Sequence, residues 1–209
     1  MKFALLKAST SVLAAAALVV AFTPMAAAAT TTDITYDCQA NTPLGNEFLT
    51  LNQIVDTTAP ATVAPGAALD VVVDPAPNTV PSEAAGYTVK RVHTFTLKVP
   101  VPTNSTLSGV VLTGGSNLGS TPTWSASAGV ITIKFAGPIA GGSTFELPTI
   151  TAHLTAGASG TINSTLYGTS YADPGLTFTA VVGTFIGDVS APTSCFPNPN
   201  PVLSSTAIG

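Results

Sequence analysis

The sequence predicts an all-β chain folded as an antiparallel β-sandwich, and three observations carry that reading. Short runs of β-branched and aromatic residues alternate with polar ones, Gly and Pro turn residues separate them at intervals, and no convincing amphipathic helix intervenes. The longest run, Tyr87–Val101, shows the alternation best. Tyr87, Val89, Phe95, Leu97, Val99 and Val101 fall on one face, with Thr88, Lys90, Thr94, Thr96 and Lys98 mostly on the other. Such a pattern marks a strand with one face buried and one in water, and we take it as the central strand.

The start of the chain stands apart from this pattern. Lys2 and Lys7 precede an apolar run over Val12–Phe22, Pro24 breaks it, and Ala27-Ala28-Ala29 supplies small residues at −3 and −1. This is the signature of a secretory signal peptide over residues 1–29. Residues 30–209 are then expected to form a single secreted domain. The apolar run is short for a bilayer span, so no membrane span is expected after cleavage.

Charge and cysteines narrow the class further. Only 8% of residues are charged and the net charge is −4, against about a quarter charged in typical domains. Without the leader the bases are Lys90, Arg91, Lys98 and Lys134. Clustered cations that could replace phosphate counterions are missing, so nucleic acid is excluded as a partner. Cys38 and Cys195 are the two cysteines. An isolated pair in an oxidising compartment reads as one disulfide, here closing almost the whole exported chain into a loop.

Taken in order, Asp33–Gln39 puts Ile34, Tyr36 and Cys38 on one face, which sets the disulfide on the core side of the first strand. Glu47–Thr57 is a second β-type run whose pattern shifts between Leu51 and Ile54, as at a bulge or a change of sheet. A turn at Thr62–Gly66 leads into Ala67–Asp74, with Leu69, Val71 and Val73 inward. The proline-rich Asp74–Gly86 is expected to cover an edge or cross between sheets. Short strands follow at Leu107–Thr113, Thr121–Ser127 and Val130–Phe135. Pro148 places part of Phe145–Thr155 at an edge or bulge. Thr161–Tyr167 and Leu176–Ile186 flank the Asp173-Pro174-Gly175 turn and are expected to pair. From Ala191 onward Pro197, Pro199 and Pro201 leave no periodicity, so an irregular tail held by Cys195 is expected, and about ten strands in all.

The order of features is a signal peptide, YDC soon after the leader, a PATVAPGAALDVVV segment, a long strand ending in VPVP, and a late cysteine. This resembles a group of secreted actinobacterial proteins with an immunoglobulin-like β-sandwich and no assigned biochemical role. The resemblance implies that fold and an extracellular or envelope location. It brings no catalytic residue set. Trp124 lies far from Cys38, unlike the Cys…Trp…Cys spacing of antibody domains.

Candidate chemistry is sparse. His93 falls on the apolar face beside Arg91 in strict alternation, where a buried imidazole next to a cation could be tuned for proton transfer. The competing reading is a bulge that turns both outward, and it is the one we expect. His153 lies in a separate strand. A serine hydrolase would want a nucleophile motif such as GxSxG, which is absent, and Gly157–Thr161 (GASGT) reads as a turn. A glycosidase needs two opposed carboxylates, but with ten acidic residues some pair is inevitable, so the presence of Asp70, Asp74 or Glu146 is not evidence for one. Asp70 and Asp74 would share a strand face roughly 13 Å apart, too far for a common metal. Asn104 and Asn163 head glycosylation-type triplets expected to be exposed turns. Trp124 is expected in the core rather than as a sugar-stacking platform.

No catalytic, cofactor or metal residues are therefore assigned; the only site residues expected are the disulfide pair Cys38 and Cys195. The expected function is that of a non-catalytic secreted or cell-envelope module, structural, adhesive or binding, with an extracellular protein or cell-wall component as partner. The alternatives are a secreted hydrolase and an outer-envelope β-barrel pore, which would want longer strands with an apolar outer band.

Overall fold

The computed structural model describes residues 27–43, 45–185 and 187–209. Most of the expected leader, residues 1–26, lies outside them. The described residues form seventeen strands and no helix. These are β1 (Ala27–Thr42), β2 (Gly45–Pro60), β3 (Thr62–Val63), β4 (Ala68–Pro75), β5 (Asn78–Thr79) and β6 (Glu83–Ala84). Then come β7 (Tyr87–Pro100), β8 (Ser105–Thr113), β9 (Thr123–Ser127), β10 (Val130–Phe135), β11 (Ile139–Ala140) and β12 (Thr144–Phe145). The last are β13 (Thr149–Ala156), β14 (Gly160–Thr165), β15 (Leu176–Thr184), β16 (Gly187–Pro197) and β17 (Val202–Ile208).

The all-β antiparallel class is the one observed. Ten strands run in one hydrogen-bonded path, β8-β13-β4-β2-β1-β16-β15-β7-β10-β9, with β6 and β11 also on β7. The remaining strands are short pieces and a small closing sheet, which is why seventeen stand where about ten were expected. The two end strands of the path, β8 and β9, are not paired with each other. The sheet curls until its ends face across a shared core: Ile131 and Ile133 of β10 pack with Val110 of β8 and with Ile150 and Leu154 of β13. The sheet β14-β17-β3, whose β17–β3 pair is parallel, closes one side through Ile162, Leu203 and Val63.

The middle of the path is the β1–β16 pair, where Cys38 stands directly opposite Cys195. The two are bonded, 157 positions apart in sequence, and both are fully buried. Strand β7, taken as central from its sequence, lies third from the β9 end, although it is bonded on both edges.

Two bulges in β7 decide where its charged residues go. Its register with β15 slips at Lys90 and again near Thr94, which has a φ of 57°. Each extra residue flips the alternation, so the buried set is Val89, Val92 and Phe95, three apart rather than two. Arg91 is exposed and His93 half-exposed, its Nδ1 2.8 Å from Thr94 Oγ1. This is the outward-turning bulge expected for the pair.

Other expectations are corrected. The β1–β2 ladder runs unbroken from Thr42↔Gly45 to Ala27↔Pro60, so no bulge lies between Leu51 and Ile54. The inward row is Leu49, Leu51, Gln53, Val55 and Thr57, and Ile54 simply faces out. The shift in pattern came from Gln53, a polar residue on the inward face whose amide donates to the Ile54 and Ala76 carbonyls. The tail after Ala191 is not irregular: it supplies most of β16 and all of β17, with Ala191, Thr193, Cys195 and Pro197 buried in alternation. Strand β14 pairs with β17 and not with β15, which instead forms a hairpin with β16.

Two outcomes follow. Closing a loop of this length is worth about 5 kcal/mol in the chain-entropy account, so reduction or Cys38→Ser with Cys195→Ser should lower the melting temperature by well over ten degrees, read by circular dichroism. The bulges predict that Val92→Asp unfolds or severely destabilises the protein, by about 4 kcal/mol or more, whereas Arg91→Asp stays within about 0.5 kcal/mol. Denaturant titration of the two variants separates this register from strict alternation, which would reverse their order.

Candidate functional site: an apolar cavity inside the curled sheet

The buried residues fall into three clusters, and between two of them lies a cavity of about 420 Å³. One wall is the inward face of β1 and β2, with Ile34, Tyr36, Leu49, Leu51 and Val55. Facing it are Val89, Val92 and Phe95 of β7 and Phe178 and Val182 of β15. The two bulges of β7 thus bring its three buried side chains onto the cavity wall. Phe95 stacks on Phe135 at 4.4 Å and on Phe178 at 5.6 Å between ring centres, which stiffens that wall. Leu97, Val99, Ile150, Leu166 and Leu203 complete the apolar lining.

A lid made by the proline-rich segment covers one flank. Strand β5 pairs with β12, and Val80, Phe145 and Leu147 turn into the cavity. Asn78 fastens the lid to β2, donating through Nδ2 to the Asn52 carbonyl at 2.7 Å and to Gln53 Oε1 at 3.1 Å. This is the covering role expected for Asp74–Gly86. Polar lining is confined to a few groups, among them Thr42, Glu47, Asn52 and Gln53 near the β1–β2 end.

Tyr36 is the ionisable group on the wall with a shifted equilibrium. Burial pushes its phenol well above the ordinary value of 10.0, so it remains a neutral hydroxyl. The wall therefore presents mainly methyls and rings, with the uncharged Tyr36 hydroxyl and, toward the β1–β2 end, the Glu47 carboxylate and the Asn52 and Gln53 amides.

The residues singled out from sequence lie elsewhere. His153 and Asp70 are directly opposed on β13 and β4, with Nδ1 and Oδ1 2.7 Å apart, both on the solvent face. Asp74 accepts from Thr149 Oγ1 at 2.6 Å. His93 is on β7, with Thr94 rather than His153 as its neighbour. Among the described residues no three His, Cys, Asp or Glu side chains gather as metal ligands. Asn104 sits in an exposed turn, but Asn163 is half-buried in strand β14. Trp124 is not core: it is 42% exposed on the end strand β9, whose five residues are all exposed.

Ionisation of Tyr36 gives a pH-dependent outcome. Its folded pKa is raised, so above pH 10 the unfolded chain releases a proton that the folded chain keeps. Stability from this group is complete below about pH 10 and is lost as pH rises toward the folded value. Alkaline melting curves should show a fall in melting temperature above pH 10 that Tyr36→Phe reduces, with no effect of the substitution at pH 7 beyond packing.

No protein-family profile and no curated protein matches the chain. Among solved structures it is similar to a protein of Corynebacterium diphtheriae inferred to be membrane-anchored, at 21% identity and a TM-score of 0.58. The match covers 86% of this chain and 38% of that one, so the chain spans well under half the length of its structural neighbour. At this identity the likeness is one of fold.

Proposed function

We propose that the protein is a non-catalytic extracytoplasmic binding module that holds an elongated apolar molecule, of the fatty-acyl class, in the cavity of its curled sheet. The observation that carries the reading is the cavity itself. Native interiors are packed to crystal density, and an empty void costs about 24 cal/mol per Å³. At about 420 Å³ the space is far larger than such packing leaves, and because it is partly open to the surface the sealed-void figure is an upper bound on the cost of leaving its apolar wall without a partner. An apolar occupant removes the cost, and the volume lies in the range of small-molecule sites, about 300–1,000 Å³. Each methylene taken from water contributes about 0.8 kcal/mol, so some ten of them reach about micromolar affinity.

Location outside the cytoplasm is supported by the Cys38–Cys195 disulfide, by the leader pattern, and by the envelope setting inferred for the structural neighbour. A transmembrane pore is disfavoured, since such barrels carry a polar lumen and an apolar outer band and here the interior is the apolar side. The His153–Asp70 pair resembles the orienting half of a hydrolytic triad. Cross-strand opposition on an exposed face accounts for it equally well.

A dansyl-tagged fatty acid added to the exported protein should gain fluorescence with a stoichiometry near one. Ala180→Phe, which places a ring into the cavity from β15, should weaken that binding at least tenfold while the protein stays folded. The double variant His93→Gln with His153→Gln should bind as the parent does. Absence of uptake by the folded parent, or loss of binding in the histidine variant, counts against this function.

A further inference from the structure

The polar end of the cavity is built by the register of β1 and β2 near their hairpin tip. Ala40 and Glu47 are directly opposed there, Ala40 buried and Glu47 half-buried on the inward row that continues through Leu49, Leu51 and Gln53. Both line the cavity, and Glu47 is the only acidic residue that does so among those described. Its carboxylate has no hydrogen-bond or ion-pair partner among the described residues. Further along the same wall Tyr36 stands opposite Leu51, four residues of β2 away, roughly 13 Å at the usual strand rise. Its hydroxyl stays neutral, so Glu47 is the charged group an occupant meets.

The donors at this end are already committed. Both amide hydrogens of Gln53 go to carbonyls, that of Ile54 at 2.9 Å and that of Ala76 at 2.7 Å. Both of Asn78 are spent on the Asn52 carbonyl and Gln53 Oε1. Thr42 Oγ1 donates to the Gly45 carbonyl at 2.8 Å. Thr50 and Asn52 belong to the outward row, where Asn52 Oδ1 accepts from Thr35. Positive charge is held elsewhere. Among the described residues no Lys, Arg or His lines the cavity. The Lys90 side chain lies over Gly183, where a Cβ would come within 2.9 Å of its Cε, and it makes no ion pair with Glu47. Lys98 sits 4.9 Å from the centre of the Tyr167 ring, and Arg91 and Lys134 are exposed.

We infer that the cavity prefers single-chain amphiphiles whose polar end is a hydrogen-bond donor, an ammonium or a hydroxyl, over those ending in a free carboxylate, and that Glu47 sets this preference. The inference rests on the apolar-ligand function above and adds the class of head group. A donor head meets an unpaired acceptor and forms a charge-assisted hydrogen bond with it. A carboxylate head is brought beside a like charge in half-buried surroundings, with no spare amide and no cation to offset it. A fatty acid still enters by its chain, which makes it a displaceable probe.

The test displaces the dansyl-tagged fatty acid from the exported, disulfide-bonded protein at pH 7 with competitors of one chain length: decylammonium, decanol and decanoate. Decylammonium should displace the probe at a concentration about tenfold lower than decanoate, with decanol between them, and added salt should narrow the gap. Glu47→Gln should bring the two ionic competitors within about twofold of each other. Glu47→Asp, which keeps the charge, should keep the parent's order, and Glu47→Lys should invert it. Melting curves establish that each variant is folded. Equal displacement by decylammonium and decanoate in the parent, or an order that Glu47→Gln leaves unchanged, would overturn the head-group preference and leave the cavity function standing. A folded parent that takes up neither the probe nor any of the competitors would overturn the cavity function itself.

Discussion

The joint between β1 and β16 is the constraint on which the rest depends. It pairs the beginning and the end of the described chain in the middle of the long sheet, and Cys38–Cys195 makes that pairing permanent. On one side of the joint lie β2, β4, β13 and β8; on the other lie β15, β7, β10 and β9. Pairings of such sequence separation are costly to form because the loop must close first. A covalent bond across the joint removes that cost from every later unfolding event. The two wings can then curl toward each other without the seam between them opening.

The curl explains why the interior is hollow. Bulges at Lys90 and Thr94 increase local twist and bend β7, carrying β10 over toward β13, where side chains do meet in a packed cluster. Nearer the hairpin tips the walls of β1–β2 and of β7–β15 stay apart. The side chains facing this gap include Ala40, Ala84, Ala180 and Ala191, too short to bridge it. A sheet with straight strands would have closed on itself face to face, about 10 Å apart, as ordinary sandwiches do. The open space thus comes from curvature plus small residues at a few inward positions.

Much of the fold was legible because it is local. Alternation marked β1, β4, β7, β10 and the core side of Cys38, and the proline-rich Asp74–Gly86 read correctly as a cover. Strands β16 and β17 were missed because Pro197, Pro199 and Pro201 crowd the junction between them, although β16 alternates as far as Pro197 and β17 begins only after Pro201. The partner of β14 was misassigned because proximity in sequence favoured β15, and nothing local announces a pairing with β17. Trp124 was read as core because an aromatic in a strand usually is; that β9 ends the sheet is a property of the whole topology. The cavity had no motif at all. Its one advance signal was Gln53 on an inward row, which marks a polar residue fastening the lid rather than filling a core.

The position of the disulfide also has a mechanical meaning. Tension entering the chain before Cys38 and leaving after Cys195 would cross the bridge directly. The intervening segment, spanning 157 positions, would carry almost none of it. The start of β1 and the whole of β17 lie outside the bridge and would peel first. Strand β17 is also the centre of the small sheet that closes one side of the barrel-like interior. Stretching would therefore leave the two curled wings intact while loosening the panel that closes one side of them.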